Sequence, residues 1–338
     1  MGDRRGVALP FARPLTLAAR RPPTREEDPM TPTPDFPSGP AAADERRAAG
    51  SPTAPDGAIA DVSGWLRLSV PLALLAIAAS LAGIFTDAAY ARETANWAAQ
   101  GVGQDIANLA LYPLLVACAR AARRGSLGAY LLWLGLLGYS VYTYAIYAFA
   151  LHFGPLFLPY VAVLGLSIFA FTGGMLSLDA ERVRAVLAPR VPGSAAGVLA
   201  AIGMLFGLLW LSEIVPALAS GTLPPSLQET GLVTNPVYVL DLAVVLPAAI
   251  ATGVGLRRGR AWSYCLAPVL LVCFIALGAG IVVAVGVLAA RGEAASPAPV
   301  IMIGTAVAAE LAVLRGFVGA RGPEAGLAAV LRGPAGGG

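Results

Sequence analysis

The chain has 338 residues, of which 57% are hydrophobic and only 13% charged, and its net charge is +3. Soluble domains carry about 25% charged residues, so an ordinary water-soluble domain is excluded. The small net charge says little by itself, and no nucleic-acid partner is expected. All 23 basic residues are arginine, an Arg-only, Ala/Gly/Pro-rich usage of the kind a GC-rich bacterial genome produces.

Residues 1–62 are rich in Pro, Ala, Arg and acids and have no sustained apolar period, so they read as a disordered tail. They lack the apolar core of a secretory signal peptide, and Met30 as an alternative start leaves the first span intact. Beyond them the apolar residues come in long runs. Leu68–Phe85 and Ile275–Ala290 carry no charge, and about 20 helical residues cross the hydrocarbon core. The short alternating segments of a β-barrel are missing. The predicted fold is therefore all-α, a polytopic transmembrane helix bundle. Its eight spans fall near 64–85, 104–121, 127–151, 156–177, 195–216, 235–256, 263–290 and 298–315. The domain plan is a tail over 1–62, a membrane domain over 63–317 and a flexible tail over 318–338.

The positive-inside rule orients this plan. Arginines follow the second span (Arg120, Arg123, Arg124), the fourth (Arg182, Arg184, Arg190) and the sixth (Arg257, Arg258, Arg260), and mark the end of the eighth (Arg315, Arg321, Arg332). Arg67 and the tail arginines precede or open the first. Only Arg92 and Arg291 fall on the other side. Both termini are thus predicted to be cytoplasmic, in a bacterial cytoplasmic membrane. The eighth span is interrupted by Glu310, and without it the C-terminal arginines would break the rule.

Within the spans, Gly203 and Gly207 form a GxxxG pair, which serves close packing of helices inside one chain more readily than a dimer seam. Pro71, Pro113, Pro159 and Pro247 predict kinks, because neighbouring helices must satisfy the carbonyls they free. Cys118, Cys265 and Cys273 lie in or beside spans, where no disulfide framework is expected.

Polar residues in spans cost about 2.5–3.5 kcal/mol each when charged, so their positions are informative. Gln104, Asp105 and Asn108 open the second span on its outer side. Tyr139, Tyr142, Thr143, Tyr144 and Tyr147 occupy the outer half of the third, and His152 follows it. Glu213 lies in the last turn of the fifth, and Asn235, Tyr238 and Asp241 in the first turns of the sixth. Spacings of three, four and seven put Asp105, Asn108 and Tyr112 on one face, Tyr238 with Asp241, and Trp210 with Glu213. If these stripes face inward they line one outward-opening polar pocket. The candidate ligand-binding residues are Asp241, Glu213, Asp105, Asn108, Tyr238, Tyr147 and His152.

Plainer roles compete for several of them. Tyrosines gather at membrane interfaces as anchors. Asn235-Pro236 fits a helix N-cap followed by proline at the first position, and Asp105 suits a helix N-terminus. Asp241 is the hardest to explain away, lying six residues inside a span. The segment 86–103 is expected along the interface, and the 216–234 loop is either a lid or a connector. The outer side carries more acids than arginines, which favours cations. Glu310 sits apart, with no second carboxylate expected at its depth.

Gly103-Gln104-Asp105, the stretch from Leu137-Gly138-Tyr139 to Ala148-Phe149, and above all Thr234-Asn235-Pro236-Val237-Tyr238-Val239-Leu240-Asp241-Leu242 resemble a group of uncharacterised bacterial multi-pass membrane proteins. The resemblance covers roughly residues 64–290. It implies the topology, and it lends no activity and no site residues.

No cofactor or metal is expected. One histidine does not ligate several haems, a zinc site needs three or four converging ligands, and no GxSxG, Walker or Cys-x-x-Cys motif is present. Gln104 breaks the Gly-Asp motif of intramembrane aspartyl proteases. Three functions remain. The leading one is a transporter or permease binding a cation, a proton or a small amine-bearing solute. The others are a non-catalytic sensor or assembly factor, and an enzyme acting on a lipid or lipid-linked substrate with Asp241 or Glu213 as base and His152 as acid or base. The lipid bilayer is the one partner common to all three.

Overall fold

The computed structural model describes residues 62–86, 89–292, 297–319 and 326–332. The tail expected over 1–62 lies outside the described residues apart from Val62. In chain order the helices are α1 (Val62–Phe85), α2 (Ala95–Arg123), α3 (Leu127–Ala150) and α4 (Phe157–Leu176), then the short α5 (Ala180–Leu187). There follow α6 (Ala195–Ser220), the short α7 (Pro225–Thr230), α8 (Pro236–Arg257), α9 (Ala261–Ala290), α10 (Pro297–Val318) and the single turn α11 (Leu327–Val330). Eight of these are long and apolar enough to cross a membrane. The protein is an all-α, multi-pass membrane protein. Among the described residues there is no strand, only isolated bridges of Ser126 with Gly326 and Leu178 with Leu331. The span containing Glu310 forms as a continuous helix.

Helix starts follow local chemistry. Thr94 caps α2 by accepting from Trp97 N, Ser126 caps α3 by accepting from Ala129 N, and Asn235 caps α8 by accepting from Val237 N with Pro236 next in line. Each side chain satisfies a backbone N–H that has no partner inside the helix. The Thr94 cap also explains a difference from the sequence reading. Residues 95–103, expected to lie along the interface, are the first turns of α2. Gly101 and Gly103, which weaken a helix on propensity alone, are used there for contact. A Cβ on Gly103 would sit 2.3 Å from Ala284 Cα on α9, and one on Gly101 would sit 2.6 Å from the Tyr90 ring.

The helix α3 is the most enclosed span, and with α9 it forms the centre of the bundle. On one side α1 packs on α2 and α4, and α3 packs on both α2 and α4. The long α9 lies against α2 and α3 and carries α10 on its flank. The pair α6 and α8 forms a separate two-helix arm that reaches the centre mainly through α8 and α9. Small residues bring that arm together. A Cβ on Gly203 would be 2.9 Å from Leu246 O, and one on Gly253 would be 2.6 Å from Ala196 O. Gly207 has only a Leu246 methyl at 4.0 Å, so the tight half of the GxxxG pair serves packing inside the chain.

At the arginine-rich end, residues 326–332 are pinned where a flexible tail was expected. Leu327 N donates to Gly125 O at 2.8 Å, Asp179 N to Val330 O at 2.9 Å and Arg332 N to Ser177 O at 2.9 Å. Leu327, Val330 and Leu331 are buried beneath the two turns they bridge. All three cysteines are free and buried.

Candidate functional site

The α8 helix is interrupted where its first acid appears. Residues Asp241–Val245 form a π turn, in which Leu246 N reaches back to Asp241 O. Pro247 supplies the local reason. It has no N–H to donate, and its ring clashes with the carbonyl four residues back in a regular helix. The wider turn relieves that clash, and turns of this kind recur at functional sites. The result is a local re-aiming of Asp241, whose side chain reaches both neighbouring helices.

Two polar networks form, where the sequence suggested one layer. The first lies in the packing between α1, α2 and α3. Asp105 accepts from Tyr90 Oη at 2.6 Å and from Tyr147 Oη at 3.2 Å. Gln104 donates to Tyr139, Tyr139 donates to Asn108, and Asn108 Nδ2 donates to Ser80 Oγ at 3.1 Å. Asp105 and Asn108 are 1% and 0% exposed, and a Cβ on Gly83 would lie 1.9 Å from Asp105 Oδ2. Burial and the adjacent Asp105 push the Tyr90 phenol well above its ordinary pKa. Each of these polar groups is satisfied by another, as buried polar atoms must be, so this network is a helix-to-helix clasp.

The second network joins α3, α6, α7 and α8. Asp241 accepts from Trp210 Nε1 at 2.7 Å and from Tyr142 Oη at 3.0 Å. Glu213 accepts from Tyr238 Oη at 2.7 Å, and Tyr238 also bonds Ser226 on α7. The Trp210 and Tyr238 rings lie 5.3 Å apart. Thr94 Oγ1 donates to the carbonyls of Glu229 and Thr230 at 3.1 Å. The loop between α6 and α8 is thus a folded cover, tied on one side to Tyr238 and on the other to the start of α2.

Beneath this cover lies a cavity of about 870 Å³. Six spans line it, namely α2, α3, α6, α8, α9 and α10, together with α7. Ala298 and Glu310 both face it from α10, so it runs about 18 Å along that helix at 1.5 Å per residue, more than half of the roughly 30 Å hydrocarbon core. Its walls are chiefly Leu, Ile, Val, Phe and Ala, and among the described residues they carry four carboxylates, Glu213, Glu229, Asp241 and Glu310, and no arginine. A cavity of this size with apolar walls and a few convergent polar groups has the character of a small-molecule site.

The candidates from the sequence separate accordingly. Asp241, Glu213 and Tyr147 line the cavity, and Tyr238 supports Glu213 from behind. Asp105 and Asn108 do not line it. His152 is exposed, with Nδ1 3.1 Å from Glu93 Oε1, and Arg92 donates to Phe153 O at 2.9 Å in the same turn. His152 borders a small crevice of about 10 Å³ and is not among the residues that line the cavity with Asp241 and Glu213.

Two residues of the cavity, both noticed in the sequence, stand outside the candidate set drawn from it. Glu310, 2% exposed, has an Oε2 atom with no hydrogen-bond partner among the described residues, and Thr143, 3% exposed, has an Oγ1 in the same condition. Both line the cavity. The signal for Glu310 was a charge kept in the middle of an apolar span. Its apparent isolation came from counting depth along each helix instead of asking which helices enclose a common space. Among the described residues, no group of three or more His, Cys, Asp or Glu is placed to hold a metal ion.

No protein-family model, curated protein or solved structure matches the chain.

Proposed function

We propose that the protein is a transporter or permease that takes a cationic, amine-bearing solute into the cavity lined by Asp241, Glu213 and Glu310. One observation carries this reading. Among the described residues, a cavity of about 870 Å³ enclosed by six spans holds four carboxylates and no basic side chain. Such a chamber concentrates positive charge and repels anions. Phe206 and Trp210 beside Asp241 add ring faces that attract cations. The donors on Asp241 are an indole and a phenol, both neutral, so an entering ammonium finds a carboxylate without a competing base. The cover formed by α7 supplies a natural gate on the acidic end. The arginine distribution supports an orientation with both termini in the cytoplasm and the cover outside.

The test is uptake into proteoliposomes of a panel of labelled monoamines and quaternary ammonium ions. Uptake by the wild-type protein above empty liposomes, and its loss in Asp241→Asn, is the expected result. Absence of uptake for the whole panel removes the permease reading. Reporter fusions at residues 190, 259 and 338 test the orientation, and all three should report the cytoplasm.

A further inference from the structure

We propose that Glu310 is the exchange position of this cavity, where a proton and an apolar organic monocation compete for one carboxyl group. The inference rests on the permease reading of the same cavity and names the cargo class and the coupling ion within it.

The argument begins with what an unpaired carboxyl at this place requires. Glu310 is 2% exposed, lies near the middle of α10 and has one oxygen without a partner among the described residues. Desolvation strongly disfavours a buried carboxylate with no cation nearby. Two arrangements remove that penalty, a proton on the oxygen or a cation beside it, and they exclude each other.

Among the described residues no basic side chain lines the cavity with Glu310, and Arg190, whose carbonyl abuts Gly316 on α10, gives its guanidinium to Val186 O. The helices packed against α10 are α9, α3 and α6. Their titratable groups toward this space are the Cys273 thiol on α9, which feels the charge of both Asp241 and Glu310, the Tyr142 and Tyr147 phenols on α3 and the Glu213 carboxyl on α6. Asp241 faces the same space from α8. None of α3, α6 and α9 contains an arginine within its bounds. On α10 itself the nearest base is Arg315, five residues on and therefore about 140° around the helix at 3.6 residues per turn. Positive charge must come from the cavity.

The form of the cation follows from the walls. The cavity that Glu310 lines also presents Met302, Ala306, Val307, Phe274 and Leu277, and the Thr143 hydroxyl, which has no partner among the described residues, is a further polar atom in its wall. A bare metal ion would need an oxygen cage, and no such cluster occurs among the described residues. A cation with an apolar body fills the space, burying hydrocarbon against these side chains while its charge lies at Glu310. Binding then proceeds with charge conserved. The O–H bond of the neutral carboxyl breaks, the electron pair stays on Glu310, the proton leaves to bulk water, and the organic cation takes its place.

The experiment uses the full chain, purified in detergent, with tetraphenylphosphonium and benzyltrimethylammonium as probes. Neither carries an exchangeable proton, so any proton released comes from the protein. Calorimetric titrations between pH 5.5 and 8.5, in buffers of different ionisation enthalpy, should give proton release and an affinity that rises with pH. On the acid limb it should approach the tenfold per pH unit of one-for-one competition. Glu310→Gln should lose the pH dependence and the proton release and bind at least tenfold more weakly at pH 8. Its thermal midpoint should be equal to or above wild type, since no buried charge remains to be neutralised. Glu310→Asp should restore the pH dependence.

Other outcomes separate the two claims. Wild-type affinity and proton release retained in Glu310→Gln but lost in Asp241→Asn would overturn the exchange position and leave the permease standing. Binding and proton release as expected, with no uptake in proteoliposomes, would overturn the permease and leave the site. Failure of both probes to bind wild-type protein overturns both.

Discussion

The Trp210 indole donates to Asp241 Oδ2 at 2.7 Å across thirty-one residues of chain, and the Tyr142 phenol holds the other oxygen at 3.0 Å. Asp241 is therefore positioned by two neutral donors from two different helices, at the one place where α8 widens into a π turn. A carboxylate held this way keeps its orientation when the cavity is empty and remains electrostatically available when a cation enters.

This arrangement predicts a difference between two substitutions. Asp241→Asn preserves an acceptor for Trp210 and should leave the thermal midpoint within a few degrees of wild type. Asp241→Ala strands the indole N–H and the phenol, and leaving a buried polar group unpaired costs about 1–3 kcal/mol. Thermal unfolding in detergent should separate the two, while both abolish uptake. Equal destabilisation by Asn and Ala would mean that the acid is held for its charge and not for its hydrogen bonds.

The clasp around Asp105 makes a purely structural prediction. Gly83→Ala would place a Cβ 1.9 Å from Asp105 Oδ2, and the acid is held against movement by Tyr90 and Tyr147. Overpacking costs about 1–3 kcal/mol, occasionally more, so this single methyl should lower the thermal midpoint as much as Gly103→Ala, which meets the α9 backbone at Ala284. In a variant that still folds, probe binding should be unchanged, because Asp105 does not line the cavity.

The cover should respond to its two ties. Thr94→Val removes the hydroxyl that meets the Glu229 and Thr230 carbonyls and caps α2, and loss of a cap costs about 0.5–2 kcal/mol. Tyr238→Phe removes the link to Ser226 and Glu213. Hydrogen exchange over residues 222–234 should quicken in both variants, with little change over α3. Unchanged exchange there would show that the loop is held by something other than these side chains.

The strap at the arginine-rich end gives a fourth prediction. Val330, fully buried, lies in the turn whose carbonyl accepts from Asp179 N. Val330→Asp should be markedly destabilising, since burying an unpaired carboxylate adds several kcal/mol to the loss of about 1.5–3 kcal/mol of valine burial. The same substitution at Ala329, whose side chain is exposed, should have far less effect.

Much of this protein was legible without coordinates. Long uncharged runs require helices in lipid, because the backbone must satisfy its own hydrogen bonds there, and this alone produced the eight spans. The cap at Asn235-Pro236 was readable for the same local reason. Start points that depend on contact were not. α2 begins at Ala95 because Thr94 caps it and because Gly101 and Gly103 find partners on Tyr90 and Ala284, and nothing in a hydropathy pattern carries those partners.

The site divides along the same line. Charge within a span marks a residue as costly wherever it lies, so Asp105, Asp241, Glu213 and Glu310 all stood out from the sequence by themselves. Which of them share a space is a question of how helices are arranged around one another. Asp105 faces α1 and closes into a network of phenols, whereas Glu310, twelve residues into α10 beyond Ala298, opens onto the same cavity as Asp241. Periodicity assigns a residue to a face of its own helix, and only the tertiary structure decides what that face meets.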